Sequence, residues 1–263
     1  MTWPTIAHTL QPRRALAALA TALFLWKIEL VRPLHAQTAV GDSAAVAALP
    51  LHEVGVDSAG HRLVFLITGD GGYAAGDRGI ADTFAAHGIP VVALDARAYL
   101  GKKRVPDEIA RDAERILRHY LAAWHRDSVV FVGYSRGADM APFIVTRLSA
   151  DLRSRLSLVA MIGLAERASF EFHWSDLVMN TKRSTDYPVA PEVLNVHGVR
   201  MLCLYGEHEK DSLCPTFPPS VLRADRHGGK HALSKSDGAD VAQRILRELD
   251  SATSPEGPAR PLD

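Results

Sequence analysis

The sequence predicts an α/β fold in which a mostly parallel sheet is covered by helices on both faces. Strand-like apolar runs alternate with segments whose apolar residues recur at helical spacing. The apolar runs are continuous rather than interrupted by polar residues, which is typical of parallel strands buried on both faces. The chain has 263 residues, of which 47% are hydrophobic, and this is enough to bury one sizeable core.

The predicted strands are short runs of aliphatic and aromatic residues bounded by Gly, Pro, Asp or Ser. A linker leads into an edge strand before residue 55, and the strands that follow are buried. In chain order these are RLVFLITG (62–69), IPVVALDA (89–96), SVVFVGYS (128–135), LSLVAMIGLA (156–165), VRMLCLYG (199–206) and the short SVLRAD (220–225).

The predicted helices lie between these strands and carry recognisable start and stop signals. Gly88 follows one apolar helical pattern, and glycine commonly ends helices. Pro106 opens the next helix, where a proline in the first turn is favourable. Pro142 predicts that the helix after residue 135 is kinked or begins late. The last helix is GADVAQRILREL (238–249).

The two ends of the chain lie outside the predicted domain. Arg13 and Arg14 precede an uncharged apolar stretch, and a small-residue cleavage signal ends at Ala36. This pattern predicts a signal peptide over residues 1–36, with an uncleaved membrane anchor as the alternative, and hence a periplasmic protein. The folded domain is expected at residues 37–250, followed by a flexible, Pro-rich tail at 251–263.

Charge and cysteine content exclude several classes of partner. The chain has 30 basic and 30 acidic residues, so nucleic acid is not an expected partner. Cys203 and Cys214 have no second ligand at metal-binding spacing, so neither a metal nor a cofactor is expected. In an oxidising compartment the two cysteines could pair, and the alternative is a buried thiol and a loop thiol.

The segment around Ser135 carries the strongest chemical signal. Gly133 and Gly137 flank Ser135 at the junction of a buried strand and a helix. This arrangement predicts a nucleophile elbow, a strained turn that lifts the serine hydroxyl into a cleft. The glycines are needed because side chains there would collide with the neighbouring strand or helix. The simpler alternative is a serine that caps the helix.

A nucleophilic serine needs a base and an acid from later strand ends. His231 is the favoured base because it follows two glycines and precedes the last helix, and His227 is the alternative. Glu207, Glu209 and Asp211 compete for the acid after the fifth buried strand. Asp211 is favoured and Glu209 is the alternative.

The loop after the first buried strand is the expected second half of an oxyanion hole. Its glycines allow the backbone to approach a ligand closely. The backbone amide of Arg136 is one expected donor, and the amide of Asp70 or Gly71 is the other.

Six segments, in this order, resemble the VirJ/AcvB family of bacterial virulence-associated proteins over about residues 62–247. The pair formed by GDGG and GYSxGAD is far more specific than G-x-S-x-G alone. The segments are TGDGGY, YLGKKRVPDEIARD, GYSRGADMAPF, FEFHW, YGEHEKDSLCP and GGKHAL.

The resemblance implies an α/β-hydrolase fold, periplasmic export and hydrolysis of aminoacylated phosphatidylglycerol, especially the lysyl form. It places Ser135 as the nucleophile, Asp211 or Glu209 as the acid and His231 as the base. It also implies an association with type IV secretion components. Alternatives are a carboxylesterase for other small esters and a non-catalytic partner of a secretion system.

Substrate contacts are expected from Tyr73, Lys103, Arg104 and Asp139. Lys103 and Arg104, with Lys102, follow a strand end and could meet a lipid phosphate or a membrane surface. Asp139, with Asp70, could meet the ammonium group of an aminoacyl ester. Tyr73 stands where the resembled family usually has Trp.

Overall fold

A seven-stranded sheet forms the centre of the molecule. The structure is a computed structural model, and it describes residues 43–56, 59–172 and 185–251. The chain divides into units of residues 1–44 and 45–263, and the fold described here is that of the second unit. Its strands are β1 Leu51–Val54, β2 Arg62–Ile67, β3 Val91–Leu94, β4 Ser128–Tyr134, β5 Leu156–Ile162, β6 Arg167–Ala168, β7 Tyr187–Pro188, β8 Met201–Gly206 and β9 Arg223–His227.

Helices connect the strands and cover the sheet. A helical turn at residues 43–47 precedes β1. The helices that follow are α1 Ala75–Ala86, α2 Ala96–Tyr99, α3 Pro106–Ala123, α4 Arg136–Arg147, α5 Ala150–Arg153, α6 Val189–Leu194 and α7 Lys235–Ser251, with a 3-10 turn at Cys214–Thr216.

The sheet has the strand order β1-β3-β2-β4-β5-β8-β9. The edge strand β1 pairs antiparallel with β3, and the other pairs are parallel. The short strands β6 and β7 form a separate antiparallel pair. Parallel strands place their carboxyl ends along one edge, so the loops after β2, β4, β5, β8 and β9 meet there.

Apolar side chains on successive residues of one strand enter two different cores. In β2, Phe65 and Ile67 belong to the core beneath α3, α4 and α6. Val64 and Leu66 belong to the core beneath α1 and α7. Burial on both faces explains why the strands lack polar alternation, and the α/β prediction is confirmed.

The observed elements differ from the predicted ones at a few points. Helix α4 begins directly at Arg136 and runs through Pro142, so the expected late start is wrong. The last strand begins three residues later and ends two residues later than SVLRAD predicted, because β9 is largely exposed and carries little apolar signal. The β6–β7 pair and the short helices α2 and α6 have no clear periodicity in the sequence.

The predictions for the chain ends fall almost entirely outside the described residues. These are the signal peptide at 1–36 and the tail at 251–263. Among the helices that the structure describes, none combines the length and apolar character that crossing a membrane requires.

Candidate active site

Ser135 occupies a strained turn between β4 and α4. Its backbone φ is +52° and ψ is −116°, a conformation that residues with a side chain rarely adopt. A Cβ at position 137 would lie 2.1 Å from the Ile67 carbonyl oxygen, and one at position 133 would lie 2.4 Å from the Gly137 carbonyl oxygen. Only glycine fits at both flanking positions, so the predicted elbow geometry is present.

His231 lies directly over this serine. The Ser135 Oγ is 2.8 Å from His231 Nε2. The hydroxyl of Tyr134 donates to the His231 carbonyl oxygen at 2.9 Å and accepts from the Leu233 N–H at 3.0 Å. Tyr134 therefore fastens the loop that carries the imidazole to the strand that carries the nucleophile.

The other imidazole nitrogen of His231 contacts Glu209. His231 Nδ1 donates a hydrogen bond to Glu209 Oε1. Glu209 Oε2 accepts from the Gly206 N–H at 2.5 Å, and the Glu209 N–H donates to the Gly206 carbonyl at 3.0 Å. Both carboxylate oxygens are therefore engaged, and the turn after β8 holds the side chain in place. A proton on Nδ1 leaves Nε2 free to accept the serine proton.

The pKa values of this pair are shifted in opposite directions. The hydrogen bond that His231 donates to Glu209 is the main cause that raises the pKa of His231, against the effect of burial. Burial acts to raise the pKa of Glu209, but the hydrogen bonds from His231 and Gly206 outweigh it and lower that pKa. The Glu209 carboxylate is thus ionised, and it holds the proton of His231 on Nδ1.

Gly163, at the end of β5, makes room for the imidazole. Its φ is +72°, and a Cβ there would lie 2.8 Å from His231 Cε1 and 2.9 Å from His231 Nδ1. Sequence reasoning missed this residue, although a glycine that ends a buried strand is a recognisable signal.

Asp70 and Arg136 form a partly buried ion pair beside Ser135. Arg136 Nε and Nη2 donate to the two Asp70 carboxylate oxygens, each at 2.9 Å. The pair joins the loop after β2 to the first residue of α4. It therefore fixes the spacing between the two chain segments whose amides were predicted to bind an oxyanion.

The serine opens into a cavity of about 890 Å³. Gly69, Asp70 and Gly71 line one side, and Gly163 and Ala165 line another. Among the described residues, no group of three His, Cys, Asp or Glu side chains is arranged to hold a metal ion. The nucleophile, base and carboxylate thus stand in series at the edge of a solvent-accessible cleft.

The sequence of this chain matches a known protein family. The family model for bacterial virulence protein VirJ matches residues 61–253, most of the chain. The chain belongs to the VirJ family. The resemblance predicted from the six sequence segments is thereby confirmed.

Solved structures similar to this VirJ-family chain are α/β-hydrolases. The esterase domain of a Rhodothermus marinus protein has a TM-score of 0.54 at 14% identity, covering 76% of this chain and 91% of that domain. MenH from S. aureus has a TM-score of 0.54 at 14% identity, with coverages of 78% and 98%. Est1E from Butyrivibrio proteoclasticus has a TM-score of 0.53 at 8% identity, with coverages of 76% and 93%.

These identities show a shared fold alone. No curated protein matches the chain. The comparisons thus give the VirJ family and the α/β-hydrolase fold.

The preference for Asp211 as the histidine's partner needs correction. Glu209 contacts His231, whereas Asp211 is exposed at the rim of the cavity and interacts with the imidazole only through its charge. The turn in which Glu209 bonds to Gly206 directs the Glu209 side chain toward His231. Asp211, two residues later, lies beyond this turn and makes no hydrogen bond to the imidazole. Glu207 was a third candidate acid and His227 the alternative base. Among the described residues, neither forms a hydrogen bond or ion pair with Ser135 or His231.

Three of the predicted substrate contacts lie away from the cavity lining. Tyr73 stacks on His52 with ring centroids 4.3 Å apart. Arg104 pairs with Glu108 at 2.7 Å and lies over the Tyr99 ring. Lys103 is exposed on the same loop. These three residues are not among those that line the cavity around Ser135.

Asp139 does line the cavity, and it is 6% exposed. The Ala165 N–H donates to its carboxylate at 2.7 Å. Burial raises the pKa of Asp139 to about 7, with the Ala165 hydrogen bond and the Arg136 charge acting in the other direction. It is therefore a buried carboxyl group that changes charge near neutral pH.

A second buried carboxyl group, Asp77, lines the same cavity. Burial raises its pKa to about 7, against the hydrogen bond that its Oδ2 accepts from the Ala74 N–H. Its Oδ1 is buried and has no hydrogen-bond partner among the described residues. The sequence alone did not single out Asp77, because an acid in the first turn of a helix is common.

Cys203 and Cys214 form a disulfide between the middle of β8 and the 3-10 turn. Both cysteines are fully buried. Of the two alternatives that the sequence left open, the structure has the paired one. The segment that the disulfide closes contains Gly206 and Glu209, so the cross-link encloses the turn that holds the carboxylate.

Proposed function

We propose that this chain is a periplasmic serine hydrolase that cleaves the ester bond of an aminoacylated phospholipid, such as lysyl-phosphatidylglycerol. The observation that carries the proposal is the unbroken series from Ser135 Oγ to His231 Nε2 at 2.8 Å, and from His231 Nδ1 to Glu209. Such a series activates a serine hydroxyl, which is otherwise a weak nucleophile.

The first half of the reaction transfers the acyl group to the enzyme. His231 Nε2 takes the proton of Ser135 as Oγ attacks the ester carbonyl carbon, and negative charge develops on the carbonyl oxygen. The amides of Arg136 and of Asp70 or Gly71 are the proposed donors to that oxygen. His231 then gives its proton to the departing glycerol oxygen, and an acyl-serine ester remains.

Water completes the cycle. His231 removes a proton from a water molecule, the resulting oxygen attacks the acyl-serine carbonyl, and the proton returns to Ser135 Oγ as the acid leaves. Glu209 remains ionised throughout and stabilises the imidazolium that forms in each half. No metal or cofactor is part of this mechanism.

Two observations support the proposed compartment and substrate. A buried disulfide persists best in an oxidising compartment such as the periplasm. The VirJ family match supports a role in bacterial virulence. The aminoacyl-lipid substrate is implied by the family resemblance, which covers the same part of the chain. The alternative role is that of a non-catalytic partner of type IV secretion components. In that role the protein would bind those components and hydrolyse no substrate.

A direct test compares the wild-type protein with Ser135→Ala on lysyl-phosphatidylglycerol vesicles, with free lysine as the measured product. The substitution is expected to abolish release without unfolding the protein, because the serine hydroxyl contributes little to packing. A fluorophosphonate probe is expected to label the wild type and spare the variant.

The same measurements separate the alternatives. Labelling without lysine release would favour a carboxylesterase for other small esters. A folded wild-type protein that is neither labelled nor active would contradict hydrolysis and favour the scaffold role.

A further inference from the structure

The catalytic cavity is acidic. Among the described residues that line it, Asp and Glu outnumber Arg and Lys seven to three. The charge of Asp70 is balanced by its ion pair with Arg136, and Glu209 accepts a hydrogen bond from His231. A cleft with an excess of one charge sign concentrates substrates of the opposite sign, so this cavity favours a cationic group.

Of the aspartates that line the cavity, Asp70 is bound to Arg136, the residue after Ser135, and Asp139 is hydrogen-bonded through its backbone to Ser135 itself, and the two are not equivalent. Both oxygens of Asp70 accept hydrogen bonds from Arg136, each at 2.9 Å. Asp139 receives one hydrogen bond, from the Ala165 N–H, among the described residues. Asp70 is therefore neutralised locally, whereas Asp139 keeps acceptor capacity.

The position of Asp139 matches the place where a substrate amine would lie. Its backbone N–H donates to the Ser135 carbonyl oxygen at 3.1 Å, it lines the cavity into which Ser135 opens, and its charge acts on His231. In an α-amino ester, the ammonium nitrogen is bonded to the carbon next to the carbonyl that Ser135 attacks. A carboxylate that shares the cavity with Ser135 and acts on His231 is therefore placed to meet that nitrogen.

We infer that Asp139 is the specificity residue of this site and binds the α-ammonium group of the acyl portion of the substrate. This inference rests on the proposed hydrolase function. A buried hydrogen bond between two ionised groups is worth more than a neutral one, so it discriminates an aminoacyl ester from an uncharged acyl ester.

Charged groups surround Asp139 on several sides. Arg136 lies on its own helix, Asp70 on the loop after β2, and His231 on the loop before α7. Glu166, on the loop after β5, and Arg167, the first residue of β6, line the same cavity. Arg136 is committed to Asp70, so the nearest cation to Asp139 on its own helix does not replace a substrate ammonium.

The selectivity has a defined pH dependence. A carboxyl group whose pKa is raised to about 7 is ionised above that pH and protonated below it. The α-ammonium group of the substrate loses its own proton as the pH rises through roughly 7 to 8. The preference for the cationic ester is therefore greatest near pH 7. It is lost below that pH as Asp139 is protonated, and above it as the ester becomes neutral. Protonation of His231 slows both esters equally, so it cancels in the ratio of their rates.

The test compares the p-nitrophenyl esters of alanine and propionic acid, which differ by the α-ammonium group. The measured quantity is the ratio of their kcat/KM values in the wild type divided by the same ratio in Asp139→Asn, which removes the intrinsic reactivity of each ester. Asn keeps the size of the side chain and an acceptor for the Ala165 N–H. A quotient of about 10 is expected near pH 7, falling toward one below about pH 6 and again above about pH 9.

The matched control is Asp211→Asn, which removes an exposed carboxylate from the rim of the same cavity. Its ester ratio is expected to stay within about twofold of the wild type, because an exposed charge is screened by water and salt. An equal fall in both variants would overturn the inference, since a diffuse field rather than Asp139 would then select the substrate.

Further outcomes separate this inference from the proposed function. An unchanged ratio in a folded Asp139→Asn, or equal loss of both esters, would overturn the specificity role while the hydrolase stands. A wild type that hydrolyses neither ester and resists the fluorophosphonate probe would instead contradict the proposed function.

Discussion

Glu209 and His231 are joined by a hydrogen bond that links the turn after β8 to the loop after β9. The carboxylate reaches the imidazole because its other oxygen accepts from the Gly206 N–H, which closes a tight turn. Asp211, only two residues further along, faces the rim of the cavity. Which of two neighbouring acids completes the site is therefore decided by one turn.

Exchange of Glu209 for Gln tests this relationship. Gln cannot stabilise the imidazolium and can bind the wrong tautomer of His231, so kcat is expected to fall by about 10³-fold, while Asp211→Asn stays within about threefold of the wild type. Steady-state ester hydrolysis by both variants measures the difference. A larger loss from Asp211→Asn than from Glu209→Gln would reverse the assignment.

The pH profile of kcat/KM follows the titration of His231. The neutral imidazole is the active form, and the Glu209 hydrogen bond raises the pKa of His231 above its ordinary value of 6.5. Activity is therefore expected to be lost as the pH falls through a midpoint above 6.5. In Glu209→Gln the main cause of the raised pKa is gone, so the residual activity should show a lower midpoint. An unmoved acid limb in that variant would contradict this account of the shift.

Substitution of Gly163 by Ala tests the space left for the imidazole. The new Cβ would meet His231 at less than 3 Å, so kcat is expected to fall at least about 100-fold, a scale at which small misplacements of catalytic groups are felt. The free energy of unfolding should also fall by about 1–2 kcal/mol, because a residue with a side chain is strained at this φ.

Gly198→Ala is the matched control for Gly163. Gly198 has a φ of +75°, almost the same as the +72° of Gly163, but a Cβ there would meet nothing within 4 Å. Both variants should lose similar stability in urea unfolding, and only Gly163→Ala should lose activity. Full activity in a folded Gly163→Ala would contradict this account, because it would show that His231 can act from another side-chain conformation.

Loss of the disulfide should weaken the fold around the acid turn. The double variant Cys203→Ala with Cys214→Ala is expected to lose about 2–4 kcal/mol of unfolding free energy, because the cross-link no longer restricts the unfolded chain. Urea unfolding with and without dithiothreitol measures the effect. Reductant should destabilise the wild type and leave the double variant unchanged; equal responses of the two proteins would contradict a stabilising cross-link.

The sequence by itself determined the parts of this protein that depend on short stretches of chain. Continuous apolar strands predicted the sheet with two covered faces, and the Gly-x-Ser-x-Gly segment predicted the strained turn at Ser135. These features follow from sterics and from side-chain burial within a few residues, so they leave a local pattern. The six matching segments likewise identified the VirJ family.

Only the tertiary structure decided which groups meet across the strand ends. The choice of Glu209 over Asp211, the space that Gly163 leaves for His231, and the neutralisation of Asp70 by Arg136 all join segments 22 to 68 residues apart. Which residues meet in each case depends on the direction in which a loop turns and on which side chains already have hydrogen-bond partners. A one-dimensional pattern does not carry that information, because it records the residue types and not the directions in which they point.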